Sequence, residues 1–483
     1  MSAGGERTVT RVDVVVIGAG IAGLFAADEL QRRHGCKVAV VEATRDAGGR
    51  ILMYQDYADL EPLHLGAEII HGPSNAIHEI AREEGWDVSE TFIWAHGDGG
   101  PSPAPVGGKC GYYFLGRRGA FVRHDTDDAA FGHLCDVLGD LCEVDVPPSD
   151  TRTLREYLVD EGVTDEMVAL ADAGYANTLC SSIDLLPLRE TAALERGWVA
   201  EDGEEERDFF LKGTYKRLVD LFANRTRVFY DWVVQRVEYD PRAPLCRVVS
   251  RTGDVVLARR VISTVPATVL ADGDIAWSPA LPTARLRLLK GINMEPAVKV
   301  ITTWRARFWP EDMAGCICAE RPIPEFWFKR RDAITPSTRQ VVGLDGCAPK
   351  DLYVSVCFFT SGNARRVAAM RGDEVRAMLF AQVNEMFGTP EEPEPAQRHY
   401  LGHMVYDWAK SPFVRGGYSS PSANCPAEAR ASLAEPLADR LYFAGEAFEP
   451  NAYMSVHAAM NTARTAANQV AASLATEGPT SRL

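Results

Sequence analysis

The chain has 483 residues, which at about 150 residues per domain suggests roughly three lobes. Hydrophobic residues make up 46% and charged residues 24%, a globular balance that excludes a disordered, collagenous or coiled-coil chain. Acidic side chains outnumber basic ones 67 to 51, for a net charge of −16, so nucleic acid is a poor partner and a cationic small molecule a suitable one.

The N-terminal stretch before Val12 has no apolar core, so no secretory signal is expected. The first strong element is Val12 to Ile17, a β-branched run suited to a buried parallel strand. Gly18-Ala19-Gly20-Ile21-Ala22-Gly23 follows at once and opens a helical stretch through Leu30. The apolar run from Val14 to Ala27 is only 14 residues long and holds three glycines. A membrane span needs about 20 residues, so no membrane is expected. A second strand, Lys37 to Val41, ends in Glu42, which lies 19 residues after Gly23. Strand, glycine turn, helix, strand and acid in that order form a dinucleotide-binding unit. Gly18 makes the tight turn, Gly20 lets the backbone approach a pyrophosphate, and Gly23 lets helix and strand pack closely. Glu42 can accept ribose hydroxyls and repels the extra phosphate of NADP.

Glu42 to Arg50, ending Gly48-Gly49-Arg50, resembles the second glycine motif of the glutathione-reductase-like FAD proteins. Gly48 and Gly49 permit close backbone approach, and Arg50 offers a fork for phosphate or a flavin carbonyl. Gly66-Ala67-Glu68-Ile69-Ile70-His71-Gly72 then reads as a strand ending near a ligand. Further along, Trp232 to Val237, Val261 to Pro266, Ala297 to Val300 with Phe308-Trp309 downstream, and Leu441 to Val470 complete an ordered set. Together these segments resemble the flavin-containing amine oxidase family, which includes monoamine oxidases, polyamine oxidases and lysine-specific histone demethylases. In motif the chain is closest to the polyamine oxidases.

The resemblance implies an α/β fold: a Rossmann-like FAD-binding domain of glutathione-reductase type, interleaved with an α+β substrate-binding domain. FAD binding is expected from residues 8–84, 206–290 and 415–475, the substrate domain from 85–205 and 291–414, and a tail from 476–483. The long helical insertion and extra N-terminal domain of the demethylases are not expected here, nor is a nucleosome partner. For the cofactor, the resemblance assigns the Val234 backbone to adenine. It places Gly445, Glu446, Ser455 and Val456 at the ribityl, phosphate and flavin portions. Gly66, Ala67 and Gly49 lie beside the flavin, and Arg45 stands in for a family arginine replaced by Thr44. Monoamine oxidases link the flavin through a cysteine where Tyr418 stands, so FAD should be noncovalent.

Lys299 is the most informative residue, because a lysine inside an Ala-Val-Val-Ile run is costly to bury without a proton acceptor. The family places it near flavin N5, holding a water, with a role in the reaction with O2. His71 matches a histidine of animal-type polyamine oxidases and is expected to bond a substrate nitrogen or a water. Glu68 stands where amino-acid oxidases of the superfamily carry a carboxylate-binding arginine, and an acid there suits a cation. Trp408, Phe413, Tyr418 and Tyr453 fall in segments that line the flavin face in relatives, an aromatic wall that steers an amine.

Three features lie outside the motifs. The acidic run Glu201 to Glu206 either attracts polycations or is a solvated loop. Eleven cysteines without a CxxC pair read as reduced thiols in an intracellular protein, with no metal site. Ser481-Arg482-Leu483 is a variant of the peroxisomal address, so the location is expected to be peroxisomal or cytoplasmic, with an import receptor as partner. The expected reaction is hydride transfer from an amine, most simply a polyamine, to flavin N5. Hydrolysis of the imine then gives aldehyde and amine, and O2 is reduced to H2O2. An L-amino-acid oxidase, a desaturase-type flavoenzyme and a non-catalytic carrier on the same fold are the alternatives.

Overall fold

The structure, a computed structural model, describes residues 9–56, 60–91, 109–202, 208–331 and 352–476. The Val9–Ile17 strand is fully apolar from Val14 onward and buried on both faces, as a central parallel strand must be. Val38–Val41 flanks it on one side and Val255–Ser263 on the other, both parallel. Val228–Phe229 extends the sheet beyond Val38–Val41, and Cys246–Ser250, Val234–Glu238 and Ala276–Ser278 extend it the other way. Along the Val255–Ser263 strand, Cys246–Ser250 reaches no further than Val255 to Ala258. Leu441–Phe443 takes its place, in parallel, beside Val261 to Ser263. The carboxyl ends of five parallel strands therefore converge at Ile17, Val41, Phe229, Ser263 and Phe443, the edge at which α/β sheets bind ligands.

The Ile21–His34 helix runs one turn beyond the expected end at Leu30. Gly35, at φ +64°, closes it with its N–H on Gln31 O, and Cys36 N–H bonds Leu30 O. Its small and apolar face, including Leu24 and Ala27, packs with Met460, Ala463 and Ala467 of the Val456–Thr476 helix in one core.

A second sheet of seven strands runs Tyr400–Asp407, Ala297–Trp304, Leu352–Thr360, Glu325–Arg331, Met313–Ala319, Cys110–Leu115, Ala120–Arg123. The alternation of strand side chains sorts its two faces. Val298, Val300, Cys316 and Cys318 pack with Val375, Leu379 and Val383 of the Gly372–Phe387 helix. Lys299 and Ile301 take the opposite face, where Ile301 packs with Leu63 and Leu65. Lys299 is thus on an interior strand, not on an edge.

Between the sheets, Ile70–His71 and Val88–Thr91 flank Asp208–Leu211. The strand expected over 66–72 is limited to Ile70–His71, and its register sets His71 opposite Asp208. The acidic run after Asp202 and the Ser481-Arg482-Leu483 tripeptide lie outside the described residues. Among the described residues ten cysteines are free, no His/Cys/Asp/Glu group could hold a metal, and no helix is long and apolar enough to cross a membrane.

Candidate active site

A cavity of about 920 Å³ opens at the carboxyl edge of the eight-stranded sheet and continues against the Lys299 face of the second. Two glycine turns form its floor. Gly48 N–H bonds Ala19 O at 2.9 Å, and Gly20 and Gly48 pair as a backbone bridge. Gly18 sits at φ +104°, and a Cβ on Gly23 would lie 2.0 Å from Gly18 O. Gly23 therefore serves packing between turn and helix and does not line the cavity. Gly20 is different: a Cβ there meets nothing closer than Gly48 O at 4.0 Å, so packing within the protein does not demand a glycine. It lines the cavity, and a ligand approaching the backbone is what a side chain there would obstruct. Gly23→Ala should accordingly cost about 1–3 kcal/mol of stability, seen as a lowered Tm. Gly20→Ala should leave the Tm of the cofactor-free protein unchanged and weaken retention of the ligand.

Glu42 ends the Val38–Val41 strand and takes Ala19 N–H at 2.7 Å and Thr44 N–H at 2.9 Å. Its carboxylate thereby ties the first glycine turn to the second strand. Val234, Ser455 and Val456 also line the cavity. Ser455 Oγ accepts Ala458 N–H at 3.0 Å and so caps the Val456–Thr476 helix, whose N-terminus faces the cavity together with that of Ile21–His34. Arg45 is a correction. It points into solvent, pairs loosely with Asp231 at 3.5 Å, and does not line the cavity, because the turn after Glu42 directs Thr44 inward instead.

Arg50 and Glu446 meet across the floor at 2.7 Å. Glu446 also accepts the Ser419 hydroxyl at 2.6 Å and Met454 N–H at 3.2 Å. Burial alone would raise its carboxyl, but Arg50 and these bonds hold it below the usual range. Arg430, fully buried, supports Ser419 from behind at 3.0 Å. A Cβ on Gly66 would lie 1.8 Å from Arg50 O, so glycine is obligatory where the Gly66–Ala67 segment crosses the floor.

Lys299 Nζ donates to Gly66 O at 2.9 Å and His64 O at 3.4 Å and lies 5.0 Å from the Trp327 ring. Burial lowers its proton affinity, partly offset by Glu68. Burial likewise pulls His64 down to about 4, so it is neutral near pH 7. For Glu68, burial would raise the carboxyl, yet Lys299 and Lys329 outweigh it and hold the pKa at about 2. Glu68, expected to suit a substrate cation, lines the cavity and is ion-paired to Lys329 at 2.9 Å.

Trp408 and Tyr418, both on the cavity wall with Phe413, are fixed by single bonds: Trp408 Nε1–H to Leu65 O at 2.9 Å, and Tyr418 O–H to Thr178 O. Tyr453 is the second correction. It is absent from the wall and buried in a helical core, with the Arg430 guanidinium 3.7 Å from its ring centre. His71 lines the cavity, bonded through Nδ1 to Asp208 at 2.8 Å and edge-on to Trp198. Sequence reading missed Asp208, Trp198, Glu195, Trp327, Phe358 and Tyr406, all on the wall. Phe358 and Tyr406 reach it from the strands on either side of Lys299, each paired directly opposite it, a register that only the sheet order supplies.

A family model for flavin containing amine oxidoreductases matches residues 21–471. The chain is 25% identical over 478 residues to the lysine-specific histone demethylase 1 homolog 2 of Oryza sativa subsp. japonica, covering 92% of the chain and 55% of that protein. It is 23% identical over 483 residues to polyamine oxidase 4 of the same organism, with 94% and 88% coverage. It thus spans about half the length of the lysine-specific histone demethylases it matches. Among solved structures, a putrescine oxidase bound to putrescine superposes with a TM-score of 0.74 at 19% identity, over 96% of this chain and all of that one. Cyclohexylamine oxidase from Brevibacterium oxydans superposes with a TM-score of 0.73 at 23% identity, over 96% and 99%. At these identities the superpositions establish the fold.

Proposed function

Since the chain belongs to the flavin-containing amine oxidoreductase family and FAD is accordingly its cofactor, we propose that it oxidises an aliphatic polyamine. The cavity's composition carries the reading: aromatic rings of Trp327, Phe358, Tyr406 and Trp408 stand with Lys299, and the carboxylates of Asp208 and Glu195 line the same space. Such a cavity receives one nitrogen in an apolar slot and offers negative charge to another.

The glycine turns, with room at Gly20 and opposed helix N-termini, fit a diphosphate, and Arg50 with Glu446 fits the adjoining polar chain. We assign FAD to residues 8–84, 206–290 and 415–475, and the amine to 85–205 and 291–414. No cysteine among the described residues lines the cavity, which favours noncovalent attachment. When bound, the flavin supplies the redox step, taking a hydride from the amine α-carbon and passing the electrons to O2 to give H2O2, while the imine is hydrolysed by water to aldehyde and amine. The aromatic wall excludes bulk water, which favours the neutral amine that can lose a hydride. Lys299, when neutral, gives both hydrogens to Gly66 O and His64 O and turns its lone pair to the cavity, where it can hold a water or take a proton. His71, oriented by Asp208, bonds the substrate nitrogen or its water. The Ser481–Leu483 address remains a proposal for peroxisomal import, tested by fusing the tripeptide to a fluorescent reporter.

An anaerobic titration with spermine, N-acetylspermine, benzylamine, tryptamine and L-lysine tests the assignment. Bleaching of the flavin band by spermine or N-acetylspermine is expected, whereas bleaching by L-lysine alone overturns it in favour of an amino-acid oxidase. Asp208→Asn should remove one charge contact worth about 1 kcal/mol and raise KM for spermine roughly fivefold, more than it raises KM for benzylamine, which carries no second nitrogen.

A further inference from the structure

Lys299, Phe358 and Glu325 stand opposite one another on three adjacent strands, since Lys299 pairs with Phe358 and Phe358 with Glu325. Residues in such a row share one face of the sheet. Glu325 therefore faces the same way as Lys299, yet it is almost wholly buried and lies behind the cavity wall. Its two oxygens hold two different parts of that wall. Oε1 accepts Trp327 Nε1–H at 2.6 Å, and Oε2 accepts Asn177 Nδ2–H at 2.9 Å.

Trp327 is two residues along the same strand and so on the same face. Its ring lines the cavity, 5.0 Å from Lys299 Nζ and stacked 5.4 Å from Phe358. Asn177 follows a helical turn whose Gly174 and Tyr175 line the cavity, as does Thr178 just after it. Asn177 Oδ1 accepts both Thr360 N–H and the Thr360 hydroxyl, so its amide is locked with Nδ2 aimed at Glu325.

We propose that Glu325 is a positioning residue: its carboxylate holds the Trp327 indole against Lys299 and ties that ring to the Asn177 turn, so its ionisation sets the shape of the amine slot. A carboxylate can accept both N–H groups. Once protonated, one oxygen becomes a donor and one of the two bonds weakens. Burial pushes the Glu325 carboxyl up to about 7, against the bonds from Trp327 and Asn177 and the charge of Lys299. The ionisable groups that reach it are Lys299, from the second strand over, and the Tyr418 phenol. Its neighbours Phe358, Asn177 and Trp327 are uncharged.

The catalytic arm of the test rests on the amine-oxidation reading, whereas the spectroscopic arm does not. Holoenzyme labelled with 15N-tryptophan, with the Trp327 indole assigned by Trp327→Phe, is titrated through neutral pH by NMR. The Trp327 N–H resonance should move with a midpoint near 7 and stay fixed in Glu325→Gln. In the same variant kcat with spermine should fall about tenfold, the loss of one charge-assisted bond, and the acidic limb of its pH profile should vanish. Glu325→Asp should restore part of both. A Trp327 resonance that does not titrate in the wild-type enzyme overturns the proposal, and so does a Glu325→Gln enzyme with an unchanged pH profile. Should Glu325→Gln not fold, the wild-type titration still decides. Titration of Trp327 in an enzyme that no amine bleaches would sink the substrate reading and leave the bracket standing.

Discussion

Lys299→Met should slow reaction of the reduced enzyme with O2 by on the order of 10²-fold, while its Tm at neutral pH balances two opposed effects: loss of the lysine's desolvation burden, and a buried Glu68 that keeps Lys329 but loses Lys299. Lys299 is 4% exposed on an interior strand, between Val298 and Val300 whose side chains pack on the opposite face. Burial lowers its pKa below that of the unfolded chain. The unfolded state therefore binds more protons, and the lysine's burden on stability is greatest at low pH and lifts as pH rises toward the unfolded value. Methionine removes that burden, so the Tm of the wild type relative to the variant should rise in alkaline buffer. Stopped-flow mixing of reduced enzyme with O2 measures the rate, and thermal denaturation across pH measures the second effect. Unchanged rates in both half-reactions would make Lys299 a structural residue.

Arg50→Ala should cost about 3 kcal/mol of stability and yield a protein that does not retain flavin. Removing one partner of a buried pair leaves the other charge uncompensated, at about 3–5 kcal/mol. The lower end applies, because the Arg50 side chain is 27% exposed and Ser419 and Met454 still bond Glu446. Glu446 is depressed in the folded state. The pair therefore stabilises above the unfolded carboxylate pKa and is lost as pH falls through the folded one. The stability gap between wild type and Arg50→Ala should thus close in acid. Arg50→Ala combined with Glu446→Gln should recover most of the Tm but not the yellow colour. Recovery of both would show that Arg50 serves the fold alone.

The glycine and acid pattern over residues 18–50 was legible because the chain there is one continuous unit, with turn, helix and strand following at fixed spacing. Gly48 and Gly49 meet Gly20 because that unit closes on itself through a backbone bridge. Arg45 failed the reading because a neighbour on an exposed turn can take either direction, and only the fold of the Glu42 loop turns Thr44 inward. Tyr453 failed because an aromatic near a ligand motif packs equally well into a core. Arg430 supplied that core's counterpart from a distant helix.

By itself the sequence determined the nucleotide-binding unit, the sheet class and the lysine as an anomaly in an apolar strand, since each is a local pattern of spacing or burial. Tertiary structure alone decided that Glu68 is balanced by Lys299 and Lys329, that His71 is oriented by Asp208 137 residues away, and that Glu325 braces Trp327 and Asn177. Whether a charge is free, paired or buried depends on which distant strands the sheet order brings alongside it, and that order is set by the packing of whole layers.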